Sequence, residues 1–336
     1  MLSVEDCDEI LAAALPAYGA GDAPRRLLSL SENATYLVGT GADRVVARVH
    51  RPGYQTPASI DAELTWLDRL RASGAVTAHA VVPALDGRRV VSVPRPDGDR
   101  HVVVFTFVVG GTGEERPDAL PTEELGRVTA RMHCDVTAWE LPPGFTRFHW
   151  DAAACLGPGA RWGDWAAGPG VRAADLPVLD AAARTVRARL AAYGQGRDRY
   201  GLVHADLRHA NLMVGDDGSL TVIDFDDCGF GWFLYDLATV TSWIEHEPEA
   251  QATAAAWLAG YLTERPLTAE DLAMVPTFVM LRRLMLTAWL GTHPGSPPAL
   301  ALGTTYGAGT GDLARRYLHD PAWFRLPVPA TTHRKD

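Results

Sequence analysis

At 336 residues, with 47% hydrophobic and 21% charged side chains, the chain has the make-up of an ordinary globular protein long enough to divide in two, and disorder is excluded as the default. A formal net charge of −10 disfavours nucleic acid as a partner and mildly favours a cationic substrate. Of the 31 basic residues 30 are arginine, and the lone lysine is the penultimate Lys335, which excludes a Gly-x-x-x-x-Gly-Lys phosphate loop.

Met1 to Glu9 is acidic and lacks a basic stretch ahead of an apolar core, and no apolar run approaches the ~20 residues that span a bilayer. The expectation is a cytoplasmic protein with neither membrane nor nucleic acid as partner. Cys7, Cys134, Cys155 and Cys228 are scattered, with no Cys-x-x-Cys pair, so they are expected to be reduced packing residues and not a zinc site or disulfide framework.

From Leu27 to about Val109 the chain is strand-rich. The segments Leu27 to Val38, Arg44 to His50, Val76 to Val82, Arg88 to Val93 and His101 to Val109 are separated by turn signals such as Asp86-Gly87, and they predict an antiparallel sheet. Ala58 to Arg71 breaks this pattern: Ile60, Leu64, Leu67 and Leu70 fall at helical spacing, which predicts one helix packed on the sheet. Gly110-Gly111-Thr112-Gly113 reads as a hinge, and beyond it the chain turns helical. Leu125, Val128 and Met132 share a face, Leu176, Leu179, Ala183, Val186 and Leu190 follow helical steps, and a further helix runs from about Asp271 to Leu290.

The chemistry concentrates near residue 204, in His204-Ala205-Asp206-Leu207-Arg208-His209-Ala210-Asn211, followed thirteen positions later by Asp224 in Ile223-Asp224-Phe225-Asp226-Asp227. Phosphoryl transfer needs a hydroxyl held in line with the γ-phosphate, a cation to neutralise that phosphate, and a carboxylate where the hydroxyl proton leaves. Asp206 is the candidate carboxylate. Asn211, with its amide oxygen, and Asp224 suit a hard cation such as Mg2+, and Asp226 is a further candidate ligand. Short strands at Tyr200 to Val203, Leu212 to Val214 and Leu220 to Ile223, the last two joined by the turn Gly215-Asp216-Asp217-Gly218, deliver these residues. His204 holds the loop or shuttles a proton.

At these residues the chain resembles the aminoglycoside phosphotransferase and homoserine kinase superfamily, and within it looks most like the branch of stress-response kinase A. Supporting stretches are Ser31 to Tyr36, Ala47 to Tyr54, Gly126 to His133, Arg161 to Trp165 and Ile223 to Ala238. The resemblance implies an α+β, two-lobed protein-kinase-like fold. Residues 1–108 would form an N-lobe of antiparallel sheet and one helix, and residues 109–336 a larger, mainly helical C-lobe with the catalytic loop, magnesium site and acceptor pocket. It implies ATP and Mg2+ as cofactors, Asp206 as catalytic base, Asn211 and Asp224 on magnesium, Ser31, Asn33 and Tyr36 over the nucleotide phosphates, and Asp236 bracing the catalytic loop.

Two departures stand out. Where kinases carry a lysine on the third strand this chain has Arg48, with Glu63 as its expected helix partner, and Arg51 is an alternative phosphate contact. The usual glycine of His-Gly-Asp is Ala205, and nothing in the sequence demands a positive φ there.

Trp162, Asp164, Trp165, Trp243 and Glu245 to Glu247 offer the aromatic and acidic surface that suits a small hydroxylated, amino-bearing acceptor. Arg282 and Arg283, in an apolar helix, need either internal carboxylates or an anionic group on the acceptor, and an amino-acid-like substrate would suit both features. The leading expectation is an ATP-dependent O-phosphotransferase acting on a small metabolite or antibiotic. The alternatives are a Ser/Thr protein kinase, whose partner is a protein hydroxyl, and a nucleotide-binding pseudokinase.

Overall fold

The computed structural model describes residues 3–30, 32–320 and 322–326. Two compact units emerge: one of Met1–Thr112 with Glu140–Arg147 and Leu212–Asp226, the other of Gly113–Trp139, Phe148–Asn211 and Asp227–Asp336. The strands that carry Asp224 therefore belong to the first unit, although chain order alone groups everything after residue 108 together.

The first unit begins with α1 (Val4–Ala14), which the sequence reading passed over. A capping box starts it: the Ser3 hydroxyl accepts the Asp6 amide at 3.0 Å while the Asp6 carboxylate accepts the Ser3 amide at 3.2 Å. Its Cys7, Ile10, Leu11 and Ala14 form one buried face. That face packs with an antiparallel sheet of β1 (Arg25–Leu30), β2 (Ala34–Val38), β3 (Val45–Val49), β4 (Val81–Val82), β5 (Val91–Val93) and β6 (Arg100–Thr106), in the order β1-β2-β3-β6-β4 with β5 also on β6. Register places Tyr36 opposite Ala47 and Ala47 opposite Val104, so these three alternate onto the buried side with Ala34, Val38, Val49 and Val102. Leu27 to Val38, read as one extended segment, is divided between two antiparallel strands whose pairing runs from Arg25 opposite Val38 to Leu30 opposite Ala34.

α2 (Pro57–Ser73) matches the predicted helix closely. Thr56 caps it, Pro57 supplies a preset φ at its first turn, and Gly74 ends it at φ 70°. It buries Ile60, Leu64, Trp66, Leu67 and Leu70, and among them the charged Glu63. The glycine cluster expected to be a hinge is instead a paired strand, β7 (Gly111–Thr112), against Leu212–Val214, which pairs in turn with Leu220–Val222. Gly110 comes so near that strand that a Cβ would stand 2.3 Å from the Val214 carbonyl oxygen, which is why no side chain fits there.

The second unit contains α3 (Thr122–Ala138), α4 (Ala152–Leu156), α5 (Leu176–Tyr193), α6 (Tyr235–Thr239), α7 (Glu249–Tyr261), α8 (Ala269–Thr292), α9 (Pro297–Leu302) and α10 (Thr305–His319). A two-stranded ribbon pairs Tyr200–Val203 with Gly229–Trp232. α3 and α7 touch through glycines: a Cβ on Gly126 would lie 1.9 Å from the Trp257 carbonyl oxygen, and one on Gly260 1.7 Å from that of Glu123. α8 is long and apolar enough to cross a bilayer by composition, although no apolar run of that length was expected. Its apolar stretch is 83% buried within the protein, as a core helix is.

Leu125, Val128, Met132, Leu179, Ala183, Val186 and Leu190 are all buried, whereas Leu176, at the start of α5, is exposed. The four cysteines are free thiols, three of them buried.

Candidate active site

In the second unit the ribbon strand ends at Val203, and His204 to Asn211 follow as a loop that closes in a 3-10 turn, His209–Asn211. Asp236, at the start of α6 and fully buried, clamps this loop. Its Oδ2 accepts the His204 amide at 3.1 Å and its Oδ1 the Ala205 amide at 2.8 Å, while His133 Nε2 lies 3.1 Å from Oδ2. His133 is tied on its other side to the Tyr261 hydroxyl at 3.0 Å, and burial holds its imidazole below the usual range for histidine despite the opposing pull of Asp236.

The clamp imposes a backbone that the sequence did not reveal: Ala205 has φ 67°. The expectation that position 205 needs no positive φ is therefore wrong. A residue with a Cβ pays about 1–2 kcal/mol in this left-handed region, and glycine is free of that strain. His204 itself is buried with its amide held by Asp236, so its place is within the loop's support.

Asp206 Oδ1 receives Arg282 Nη2 at 2.6 Å and Arg208 Nε at 3.2 Å, and Oδ2 lies 3.5 Å from Arg208 Nη2. Burial pushes the Asp206 carboxyl up, but the Arg208 and Arg282 guanidiniums outweigh it and hold the group below the usual carboxylate range. Asp206 thus stays ionised at neutral pH. Asn211 donates Nδ2 to the Asp206 carbonyl at 2.8 Å and to Oδ2 at 3.1 Å, which fixes its amide and leaves the amide oxygen for another role. Beside this loop opens a cleft of about 570 Å³, lined among others by Glu114, Arg208, His209, Ser242 and Trp243. Glu114 pairs with Arg208 at 3.5 Å, and Trp243 holds φ 76°, a strained conformation for a bulky residue.

In the first unit Asp224, also at positive φ (59°), keeps a carboxylate that is 55% exposed, with Oδ1 3.4 Å from Arg48 Nη1. Arg48 is buried on β3 and forms an ion pair with the equally buried Glu63 of α2. Burial works against the Arg48 charge, and Glu63, Asp226 and Asp224 together more than restore it.

Asp226 differs from Asp224. It is buried, accepts Asn33 Nδ2 at 2.8 Å and faces His50 Nδ1 at 3.4 Å, while its carbonyl takes Gln55 Nε2 at 3.0 Å and Arg147 Nη2 at 2.5 Å. Burial would raise the Asp226 carboxyl, but His50 and Arg48 drive it far down. Its local role within the first unit is that of a hub tying the turn before β2, β3 and α2 to residues 224–226.

Asn33 also accepts the Arg51 amide at 2.9 Å, and Arg51 pairs with Glu32 at 2.5 Å and lies 3.3 Å from the Tyr54 ring. Tyr36 corrects the expectation of a phosphate cover: its ring is in the core and its hydroxyl reaches the Val4 carbonyl. Ser31 lies outside the described residues. Sequence reasoning missed Gln55, His50 and Arg147. The signal for Arg147 is a lone cation between Phe145 and Phe148, too common a pattern to single out.

The model of the Phosphotransferase enzyme family matches residues 24–270. The chain belongs to that family. Amicoumacin kinase of Bacillus subtilis (strain 168) is 27% identical to this phosphotransferase over 291 residues, covering 83% of each chain. Homoserine kinase of Rhodospirillum rubrum is 30% identical over 212 residues, 59% of this chain and 61% of that protein. Among solved structures, the microcompartment-associated aminopropanol kinase is 46% identical, with a TM-score of 0.87 over 95% of this chain and 100% of that one. Amicoumacin kinase hAmiN, in complex with AMP-PNP and Ca2+, shares the fold at a TM-score of 0.73 and 21% identity over 91% of this chain and 93% of that one. The phosphotransferase is a kinase of small molecules, the leading expectation from its sequence, and has the protein-kinase-like fold that its resemblance implied.

Proposed function

We propose that this chain transfers the γ-phosphate of ATP, with Mg2+, to the hydroxyl of a small amino alcohol. The observation that carries the acceptor class is the state of the two buried arginines of α8. Arg282 is neutralised by Asp206 and Arg283 by Glu245, at 2.6 and 3.1 Å, so neither needs an anionic group on the acceptor. This removes the reason to favour an amino-acid-like substrate over one bearing only an amine and a hydroxyl. The 46% identity to an aminopropanol kinase supports the same class, as do the Glu114 carboxylate and Trp243 ring at the cleft.

The residues present fit the cofactors. The Asn211 amide oxygen and the exposed Asp224 carboxylate are hard oxygen donors of the kind Mg2+ takes. When bound, the metal supplies charge neutralisation at the transferring phosphate. Asp206 orients the acceptor hydroxyl and takes its proton as the new O–P bond forms and the bond to the ADP oxygen breaks. Arg48, fixed by Glu63, is the cation for the nucleotide phosphates in place of lysine.

The test is a γ-phosphate transfer assay over 1-amino-2-propanol, ethanolamine, homoserine, an aminoglycoside, an amicoumacin-type antibiotic and a generic protein acceptor. An amino alcohol should lead homoserine by at least about tenfold in kcat/KM, and Asp206→Asn should lose about 10²–10⁴ of turnover. Preference for homoserine or protein refutes the acceptor class, and wild-type turnover in Asp206→Asn refutes the base.

A further inference from the structure

Arg282 and Arg283 are neighbours on α8, equally buried, and each has a carboxylate partner, yet their surroundings differ in a telling way. Arg283 donates to Thr310 Oγ1 at 2.8 Å, the Tyr306 carbonyl at 2.6 Å, Glu245 Oε2 at 3.1 Å and His246 Nδ1 at 3.2 Å, all of them remote in sequence from the catalytic loop. Arg282 donates Nε to Ser242 Oγ at 3.0 Å, Nη1 to the Tyr235 hydroxyl at 3.0 Å and to the Ala205 carbonyl at 3.2 Å, and Nη2 to Asp206 Oδ1 at 2.6 Å. One planar group thus grips the loop twice, by backbone at 205 and by side chain at 206, while Ser242, Tyr235 and the Trp162 ring, 5.0 Å away, fix the guanidinium itself.

Burying a guanidinium costs several kcal/mol, and an apolar residue of like volume often serves a helix core as well or better. What only a fork-shaped donor can do is set the rotation of a carboxylate relative to the backbone that carries it.

We propose that Arg282 is a positioning residue for phosphoryl transfer, holding Asp206 by Oδ1 so that Oδ2 is the oxygen presented to the acceptor hydroxyl. The inference rests on Asp206 being the base. Oδ2 has only the longer contacts at 3.1 and 3.5 Å, to Asn211 and Arg208, and is the oxygen with capacity left for the proton. Arg283 provides the control: it has the same helix, the same burial and a carboxylate partner, but no contact with the loop.

The experiment compares Arg282→Gln with Arg283→Gln in steady-state transfer from ATP to the best acceptor of the panel, with thermal melts run in parallel. Arg282→Gln should lower kcat about 10²-fold, the cost of a catalytic group misplaced by about 1 Å, while KM for ATP and acceptor stay within about threefold. Arg283→Gln should lose stability with kcat within about threefold of wild type. A folded Arg282→Gln with wild-type kcat, or an equal loss of kcat in Arg283→Gln, overturns the proposal.

If Arg282→Gln does not fold, Arg282→Lys decides, because an ammonium keeps the charge but cannot grip both Asp206 and the 205 carbonyl. A kcat at least about tenfold down supports the role, and wild-type kcat overturns it. Asp206→Asn separates the two ideas. If that variant turns over normally, the base assignment has failed; if it is inactive while the Arg282 variants are normal, only the positioning role has failed.

Discussion

Asp236→Asn changes one oxygen to an amino group at the point where the catalytic loop is fastened. In the wild type the carboxylate accepts the amides of His204 and Ala205 at 3.1 and 2.8 Å, and it is fully buried, so no water can replace it. A hydrogen bond to a charged acceptor contributes about 1.5–3 kcal/mol, and a buried donor left without a partner costs about 1–3 kcal/mol. Asparagine keeps one amide contact, now as a neutral bond, and turns an N–H against the other amide. The expected loss is about 3–4 kcal/mol, read as a fall in urea midpoint and as faster hydrogen exchange at the His204 and Ala205 amides.

Activity should fall with it by a distinct route. Ala205 sits at φ 67° with its own amide and that of His204 tied to Asp236. Once one tie is cut, the ~1–2 kcal/mol of left-handed strain favours relaxation of residue 205 and swings the adjacent Asp206 out of register. A drop in kcat of about 10²-fold is expected, and it should be smaller in an Ala205→Gly background, where no strain is waiting to be released. A loss of less than about 1 kcal/mol, or equal kcat losses in the two backgrounds, would refute the clamp argument.

Three further outcomes are expected. Gly260→Ala should destabilise by about 3 kcal/mol or more, since its Cβ would lie 1.7 Å from the Glu123 carbonyl and backbone cannot step aside, whereas Gly295→Ala, with open space around it, should melt like wild type; equal melts would refute the close-packing account. Arg48→Met should cost about 3–5 kcal/mol by leaving buried Glu63 alone, and adding Glu63→Gln should recover much of it; no recovery in the double variant would mean the pair is not the source of the loss. Burial lowers His133 in the folded state, so below the unfolded value of about 6.5 the unfolded chain binds a proton that the folded chain refuses. Stability from this group is complete above about pH 6.5 and is lost as pH falls; urea midpoints at pH 7.5 and 5.5 should show it, His133→Gln should flatten the slope, and a midpoint that rises on acidification would contradict it.

Much of this was legible in residue order because the relevant signals are local. Alternation of valines marks the strands around Ala47 and Val104, and the 3–4 spacing of Ile60, Leu64, Leu67 and Leu70 marks α2. The fixed interval from Asp206 to Asn211 marks a loop that must bend back on itself, and in the structure the amide of one does reach the carboxylate of the other. The misreadings came from non-local causes. Gly110 looked like a hinge because glycine signals freedom, while here it signals the approach of the Val214 carbonyl from a strand about a hundred residues away. Tyr36 was assigned to ligand by its place in a motif, but strand alternation turns its ring inward, opposite Ala47.

Ala205 is the most instructive case. Alanine conveys no hint of a positive φ, and only Asp236, thirty-one residues later, shows what force holds it there. The glycine usual in the motif reads as the cheap way to reach a left-handed loop. This chain reaches the same loop with a methyl and meets the strain with two buried amide bonds to one carboxylate, which makes Asp236 and residue 205 a coupled pair. Arg282 extends that logic by one residue: the carboxylate of α6 fixes the loop's amides, the guanidinium of α8 fixes its carbonyl at 205 and the side chain at 206, and the candidate base is thereby gripped from two helices.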